Sequence, residues 1–232
     1  KKYKLKGKFP ADLDKAIAGA VGGMRFTRQG QSCTASSRIL VHEKLHDEFV
    51  KRLIDKVNAL KMGDPLDEET DIGTIINRKQ FDKVRSYIDI GEKEGATKHE
   101  LSALPTDSAL ADGTFVRPVI FTNVDPNARV AREEIFGPVA CVFKFKTFEE
   151  ALELANDSDF GLAATVWTTD LKTALTATKR LEAGFVQVNQ NLVVQPNLSY
   201  GGIKLSGLGK EASLESMLEH FTYKKTIILN ME

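Results

Sequence analysis

Cysteine is scarce in this chain: its 232 residues hold only two, Cys33 and Cys141. Two distant cysteines cannot build the disulfide framework of small secreted domains, so a reducing, cytoplasmic setting is expected. Charge of one sign is missing too, with 32 Lys plus Arg against 32 Asp plus Glu. No nucleic acid partner and no membrane partner are therefore expected, because neither a broad basic field nor a polybasic run is present. No apolar stretch is long enough to span a bilayer. Residues 1–8 are basic, but the apolar core of a secretory signal does not follow them. Internal repeats and low-complexity tracts are also absent. What remains is an ordinary globular composition, long enough to bury a sizeable core, read as one domain over residues 1–232.

The positive signal is alternation of helical and strand patterns. Residues 12–22 form a helix behind the capping residue Asp12, with Leu13, Ile17 and Val21 on one face. Residues 45–60 repeat Phe49, Leu53, Ile54 and Val57 at helical spacing, and Gly63-Asp64-Pro65 closes that run. Further helices are expected over 79–94, 148–156, 171–181 and 211–220. Strands are expected over 38–42, 115–122, 139–145, 162–168, 185–189 and, last, 223–229. This order predicts an α/β fold: three layers, αβα, around a mostly parallel sheet. The stretch 190–209 has little periodicity, and loops of that length inside compact domains are often functional.

Three segments could carry chemistry. In Gln29-Gly30-Gln31-Ser32-Cys33-Thr34-Ala35 a cysteine follows a glycine turn among small polar residues. A nucleophilic thiolate needs that access, and turn N–H groups can favour the anion and bind an oxyanion. A lone cysteine in such company is nonetheless more often an inert core thiol. Cys141, inside the apolar run 139–145, reads as core. In Glu133-Glu134-Ile135-Phe136-Gly137-Pro138 two carboxylates stand at the entrance to a strand, where one could accept hydrogen bonds from ribose hydroxyls. A solvated turn is the bland alternative. The third segment runs from Tyr200-Gly201-Gly202 to Ser206-Gly207-Leu208-Gly209. Its Gly207-x-Gly209 match to a dinucleotide fingerprint is discounted, because no hydrophobic strand leads into the first glycine. His42 and His46 lack ligand company at metal spacing and read as capping or solvated, so no metal site is expected.

Taken together, these motifs resemble the aldehyde dehydrogenase superfamily. Gly30-Gln31-Ser32-Cys33 with Ala35 and Arg38 is similar to its active-site cysteine segment. Arg132-Glu133-Glu134-Ile135-Phe136-Gly137-Pro138 is similar to its Glu-x-Phe-Gly-Pro segment. Residues 156–162 resemble its Asn-x-x-x-(Tyr/Phe)-Gly-Leu element, and residues 200–207 its late Phe-Gly-Gly-x-Lys-x-Ser-Gly loop. Four motifs in the right order cover nearly the whole chain.

The resemblance implies an aldehyde as substrate and NAD or NADP as cofactor. It implies Cys33 as the nucleophile that forms a thiohemiacetal and then a thioester, with its own backbone N–H in the oxyanion hole. It implies Glu134 on the nicotinamide ribose, with Phe136 beside it. It also implies homo-oligomerisation through the last strand, 223–229. Members of the family are about twice as long, and their cofactor domain, which precedes the cysteine domain, has no counterpart here. Their general-base glutamate sits in Glu-Leu-Gly-Gly-Lys, which Lys4-Leu5-Lys6-Gly7-Lys8 echoes with lysine in its place. An ammonium cannot accept a proton from water, so deacylation by the usual route is not expected of this segment. Two readings stay open: a catalytic domain not competent alone, and a non-enzymatic domain of the same fold kept for assembly.

Overall fold

The structure, a computed structural model, describes residues 11–191, 195 and 197–231. Its centre is a four-stranded sheet in the order β1-β4-β3-β2. The strands are β1 (Arg38–His42), β2 (Thr97–Glu100), β3 (Val119–Thr122) and β4 (Val139–Phe145). β1 and β3 run parallel to β4, with Arg38 opposite Cys141 and Val119 opposite Val139, while β2 joins β3 antiparallel. The sheet is therefore mixed, parallel at its centre.

Side-chain alternation along β4 divides the core. Ala140 and Val142 face α1 (Leu13–Met24) and α2 (Glu43–Asn58), where Ile17, Met24, Phe49, Leu53 and Val57 close over them. Val139, Cys141 and Phe143 face α3 (Arg78–Lys93) and its Val84 and Ile88. A strand buried on both faces reads as a continuous apolar run, and β4 does. Each fully buried Val, Leu, Ile or Phe contributes about 1.5–3 kcal/mol, so these two packed faces hold the three layers together. The expected αβα architecture is what the chain adopts.

Beside this body lies a smaller unit. β6 (Ala163–Val166) and β7 (Phe185–Val188) pair in parallel across α6 (Leu171–Arg180). Trp167, just after β6, packs against α1 at Gly19, where an added Cβ would lie 1.9 Å from the indole ring. The Asn191 side chain donates to the Gly19 carbonyl at 2.9 Å. Glycine inside α1 lowers helix propensity, and here it admits that close approach.

Most expected elements form within a few residues of their sequence bounds, and the departures have causes. The strand over 115–122 shortens to β3 because Pro118 has no N–H for a ladder; its carbonyl accepts from Leu101 instead, at 2.8 Å. β2 was hidden by its polar sequence, Thr-Lys-His-Glu, on a partly exposed edge. Two two-residue strands, β5 (Phe160–Gly161) and β8 (Ile203–Lys204), pair antiparallel and carry no pattern of their own. The helix over 211–220 becomes α7 (Leu214–Phe221), begun by a capping box at Ser213. Residues 223–229, expected as a last strand, pair with no strand among the described residues. Their β-branched and aromatic side chains supply propensity, but a strand exists only against a partner. Tyr223, Ile227, Ile228 and Leu229 are exposed instead.

Candidate active site

Cys33 sits on a loop that the end of α1 sets up. Arg25, in the left-handed region with φ 58°, stops the helix, and a short 3-10 turn over Phe26–Arg28 follows. Phe26 is fully buried and anchors that turn. Gln29 (φ 53°) and Gly30 (φ 63°) then reverse the chain. The Gly30 N–H donates to the Arg25 carbonyl at 2.9 Å, and the Ala35 N–H to the Ser32 carbonyl at 3.0 Å, closing a turn around Cys33 and Thr34. The Ser32 and Thr34 hydroxyls bond to each other at 3.0 Å inside it. Cys33 itself is exposed and its thiol is free. Its backbone N–H makes no hydrogen bond among the described residues. The presented thiol and the free N–H beside it are the two groups that acyl chemistry at sulfur needs.

Gly30 brings this loop to the acidic one. An added Cβ at Gly30 would lie 2.1 Å from the Gly137 carbonyl oxygen, so the two backbones touch there. Gln31 fastens the same face, its side-chain oxygen accepting from the Ile76 N–H at 3.1 Å.

In the acidic loop the two carboxylates differ. Glu133 is tied down at the end of α4 (Arg129–Arg132): Arg129 donates to its Oε1 through Nε at 2.8 Å and to its Oε2 through Nη2 at 3.1 Å, and the Tyr87 hydroxyl also donates to Oε2. The guanidinium and the phenol hold its carboxyl down to about 2. Glu134 is exposed, and its carboxylate has no hydrogen-bond or ion-pair partner among the described residues. Only its carbonyl is held, by Lys83 Nζ at 2.9 Å. Gln80 Nε2 donates to the carbonyls of Ile135 at 2.9 Å and Phe136 at 2.8 Å. Phe136 stands at φ 57° and is 37% exposed. That conformation costs a bulky residue about 1–3 kcal/mol and persists only where the surroundings enforce it; the Gln80 and Lys83 clamps do so here.

Gln80, Lys83 and Tyr87 lie on one side of α3, where all three bond to the acidic loop. No local signal could have found them, since Gln80 and Ile135 are 55 positions apart.

The two later motifs hold each other. Asn156, at the end of α5 (Phe148–Asn156), donates to the Arg180 carbonyl and accepts from the Glu182 N–H, both at 2.9 Å. Lys204 Nζ donates to the carbonyls of Asn156 and Ser158, and Ser206 Oγ accepts from the Gly161 N–H. The Tyr200 backbone, ahead of these contacts, exchanges hydrogen bonds with Glu211 at 2.8 and 2.7 Å. Gly207 and Gly209 lie beyond the short exposed β8, and α7 starts only at Leu214, so no strand-turn-helix phosphate site forms there. His42 caps α2, accepting from the Lys44 N–H at 3.2 Å, and His46 is buried beside Asp47. Lys4, expected from the motif echo to stand in place of the general base, lies outside the described residues.

Two surface grooves, one lined by His46, His99 and Lys144 and one by Leu171, Leu175 and Lys179, reach none of Cys33, Glu134 and Phe136. The site is an open face where the cysteine loop and the acidic loop meet.

Comparison with known proteins agrees with the motifs. Betaine aldehyde dehydrogenase of Brucella anthropi is 39% identical over 221 residues, covering 95% of this chain and 45% of that protein. Retinaldehyde dehydrogenase 3 of Mus musculus is 42% identical over 223 residues, covering 96% of this chain and 42% of that one. The chain thus spans less than half the length of these curated relatives. The crystal structure of betaine aldehyde dehydrogenase from Staphylococcus aureus in complex with NAD+ superposes with a TM-score of 0.84 at 38% identity, over 90% of this chain and 41% of that one. The family model "Aldehyde dehydrogenase family" matches residues 9–227, and the chain belongs to that family.

Proposed function

We propose that residues 1–232 are the cysteine-bearing catalytic domain of an NAD(P)-dependent aldehyde dehydrogenase, in which Cys33 attacks the aldehyde. The observation that supports this reading is the contact between the two loops at Gly30 and Gly137, which joins the loop bearing the exposed Cys33 thiol to the loop bearing the exposed Glu134.

The residues present fit a nicotinamide nucleotide. Glu134 offers two unengaged carboxylate oxygens, the acceptors that a ribose diol needs. Phe136, clamped from behind by Gln80, offers a half-open aromatic face. When bound, the cofactor supplies a hydride acceptor. The chain's own part is nucleophilic. The Cys33 thiolate bonds to the aldehyde carbon, and the carbonyl oxygen takes the displaced electron pair, giving a thiohemiacetal. The Cys33 N–H donates to that oxygen. Loss of hydride from the same carbon leaves a thioester on Cys33, which water cleaves to the carboxylic acid and the free thiol.

The test is mass spectrometry of the protein after brief exposure to an active ester. Acylation at Cys33 supports the assignment; modification at Cys141 with Cys33 untouched overturns it.

Assembly belongs to the same proposal. Leu214, Met217, Leu218 and Phe221 of α7, followed by Ile227, Ile228 and Leu229, leave a run of exposed apolar side chains. Such a surface rarely stays open to water. A second copy that pairs with residues 223–229 would supply a ladder that the described residues of one chain do not, giving a dimer or larger closed oligomer. Light scattering should report more than one chain per particle, and a monomer at high concentration would overturn the pairing. Both cysteines are free thiols, in keeping with a reducing compartment.

A further inference from the structure

α1 carries three glycines, Gly19, Gly22 and Gly23, where alanine would make a stronger helix. At two of them the missing Cβ leaves room for side chains from elsewhere. Trp167 fills the space over Gly19. At Gly23 an added Cβ would lie 1.9 Å from Asn191 Nδ2 and 2.9 Å from Ser36 Oγ, whereas at Gly22 it would meet nothing within 4 Å. Asn191 reaches α1 from the end of β7. Its approach is set by Asn189, whose amide accepts from the Thr168 N–H at 2.9 Å and donates to the Thr168 carbonyl at 2.7 Å.

The point that Asn191 reaches is the base of the cysteine loop. The Gly23 carbonyl accepts from the Ser36 N–H at 2.9 Å, which brings the chain after Cys33 back onto the helix before it. The Asn191 amide and the Ser36 hydroxyl share the space over Gly23, and the Gly19 carbonyl holds the amide there at 2.9 Å. The structure assigns Asn191 as a positioning residue for Cys33: seated on Gly19 and Gly23, its amide keeps the base of the cysteine loop closed and so fixes the backbone that carries the thiol and its N–H. The inference rests on Cys33 being the nucleophile. Acyl transfer needs the sulfur and the donor N–H placed together on one carbonyl group, whereas attack on a saturated carbon needs the sulfur alone.

The test compares two reactions of Cys33 on the whole chain, each read by peptide mass spectrometry. With p-nitrophenyl acetate the sulfur attacks the ester carbonyl, p-nitrophenolate leaves and the thiol proton goes to water. The carbonyl oxygen passes through an oxyanion on the way. With iodoacetamide the sulfur–carbon bond forms as iodide leaves, and no oxyanion arises. The ratio of the two rates cancels changes in exposure and in thiol ionisation. Asn191→Asp keeps the size but removes the donor to Gly19, and should lower the ratio of acylation to alkylation about tenfold, within the loss that a slightly misplaced reacting group causes. Gly23→Ala, which displaces the amide, should lower it by a similar factor, and Gly22→Ala should leave it unchanged. If Asn191→Asp does not fold, Asn191→Ala is read in the same way. A ratio unaltered by the Asn191 and Gly23 substitutions overturns the inference, even where both rates fall together, and leaves Cys33 as nucleophile. An equal fall in Gly22→Ala also overturns it, because any change to α1 would then suffice. A parent protein whose Cys33 is not acylated overturns both.

Discussion

Cys33 and Cys141 carry the same thiol into opposite surroundings. Cys141 lies in the middle of β4, 1% exposed, its sulfur 3.6 Å from the Val130 carbonyl. Burial pushes its thiol up to about 12, so it stays protonated and inert. Cys33 lies on a loop turned by Gln29 and Gly30 at positive φ, open to solvent, its N–H without a partner among the described residues. One position stabilises the fold and does no chemistry. The other contributes nothing to the core and is available for chemistry. The difference comes from the backbone: a sheet centre has neighbours on every side, whereas a loop held only from beneath has one face to spare.

This contrast can be broken by substitution. The largest effect belongs to Cys33→Ala, which on the proposed reading should lower aldehyde oxidation by about 10³-fold or more. Cys141→Ala should leave turnover largely intact. NAD(P)H absorbance measures both, and equal losses would erase the distinction. Next comes Gly30→Ala. Its Cβ would meet the Gly137 carbonyl at 2.1 Å and the left-handed φ of 63° is strained for alanine. A loss of about 3 kcal/mol in urea unfolding is expected, together with reduced Cys33 labelling, because the contact between the loops must open.

Serine substitutions sharpen the same comparison. Cys141→Ser puts a hydroxyl among apolar side chains and should cost about 1–3 kcal/mol. Cys33→Ser, at an exposed site, should shift stability by about 0.5 kcal/mol or less. The smallest effects separate the two glutamates. Glu134→Gln should raise the cofactor KM about tenfold, or about 1.4 kcal/mol, with the unfolding curve unchanged. Glu133→Gln should leave that KM alone and cost about 0.5 kcal/mol near neutral pH, the scale of an exposed ion pair. Because the folded Glu133 carboxyl is held down to about 2, its contribution is complete above the ordinary glutamate range. It is lost as the pH falls toward 2. Urea curves at pH 3 and pH 6 should therefore differ less in Glu133→Gln than in the parent.

Much of the fold is legible in the chain because its strong elements repeat. Phe49, Leu53 and Val57 mark one helix face, and the run 139–145 marks a strand covered on both sides. The candidate nucleophile and the carboxylate were legible for another reason: each sits in a compact motif. The choice between Glu133 and Glu134 was not. It depends on Arg129 one helical turn away and on Tyr87 from another helix, 46 positions distant.

The amino-acid order by itself determined the layers and the membership of the family, since hydrophobic period and motif spacing are properties of a linear chain. It also marked Cys33 as the thiol with small neighbours and Cys141 as the one in an apolar run. Tertiary structure alone decided which glutamate is tied down, that Phe136 is held at positive φ, and that residues 223–229 pair with no strand among the described residues. Those outcomes depend on groups brought together from distant positions, and no local pattern encodes a neighbour that only folding supplies.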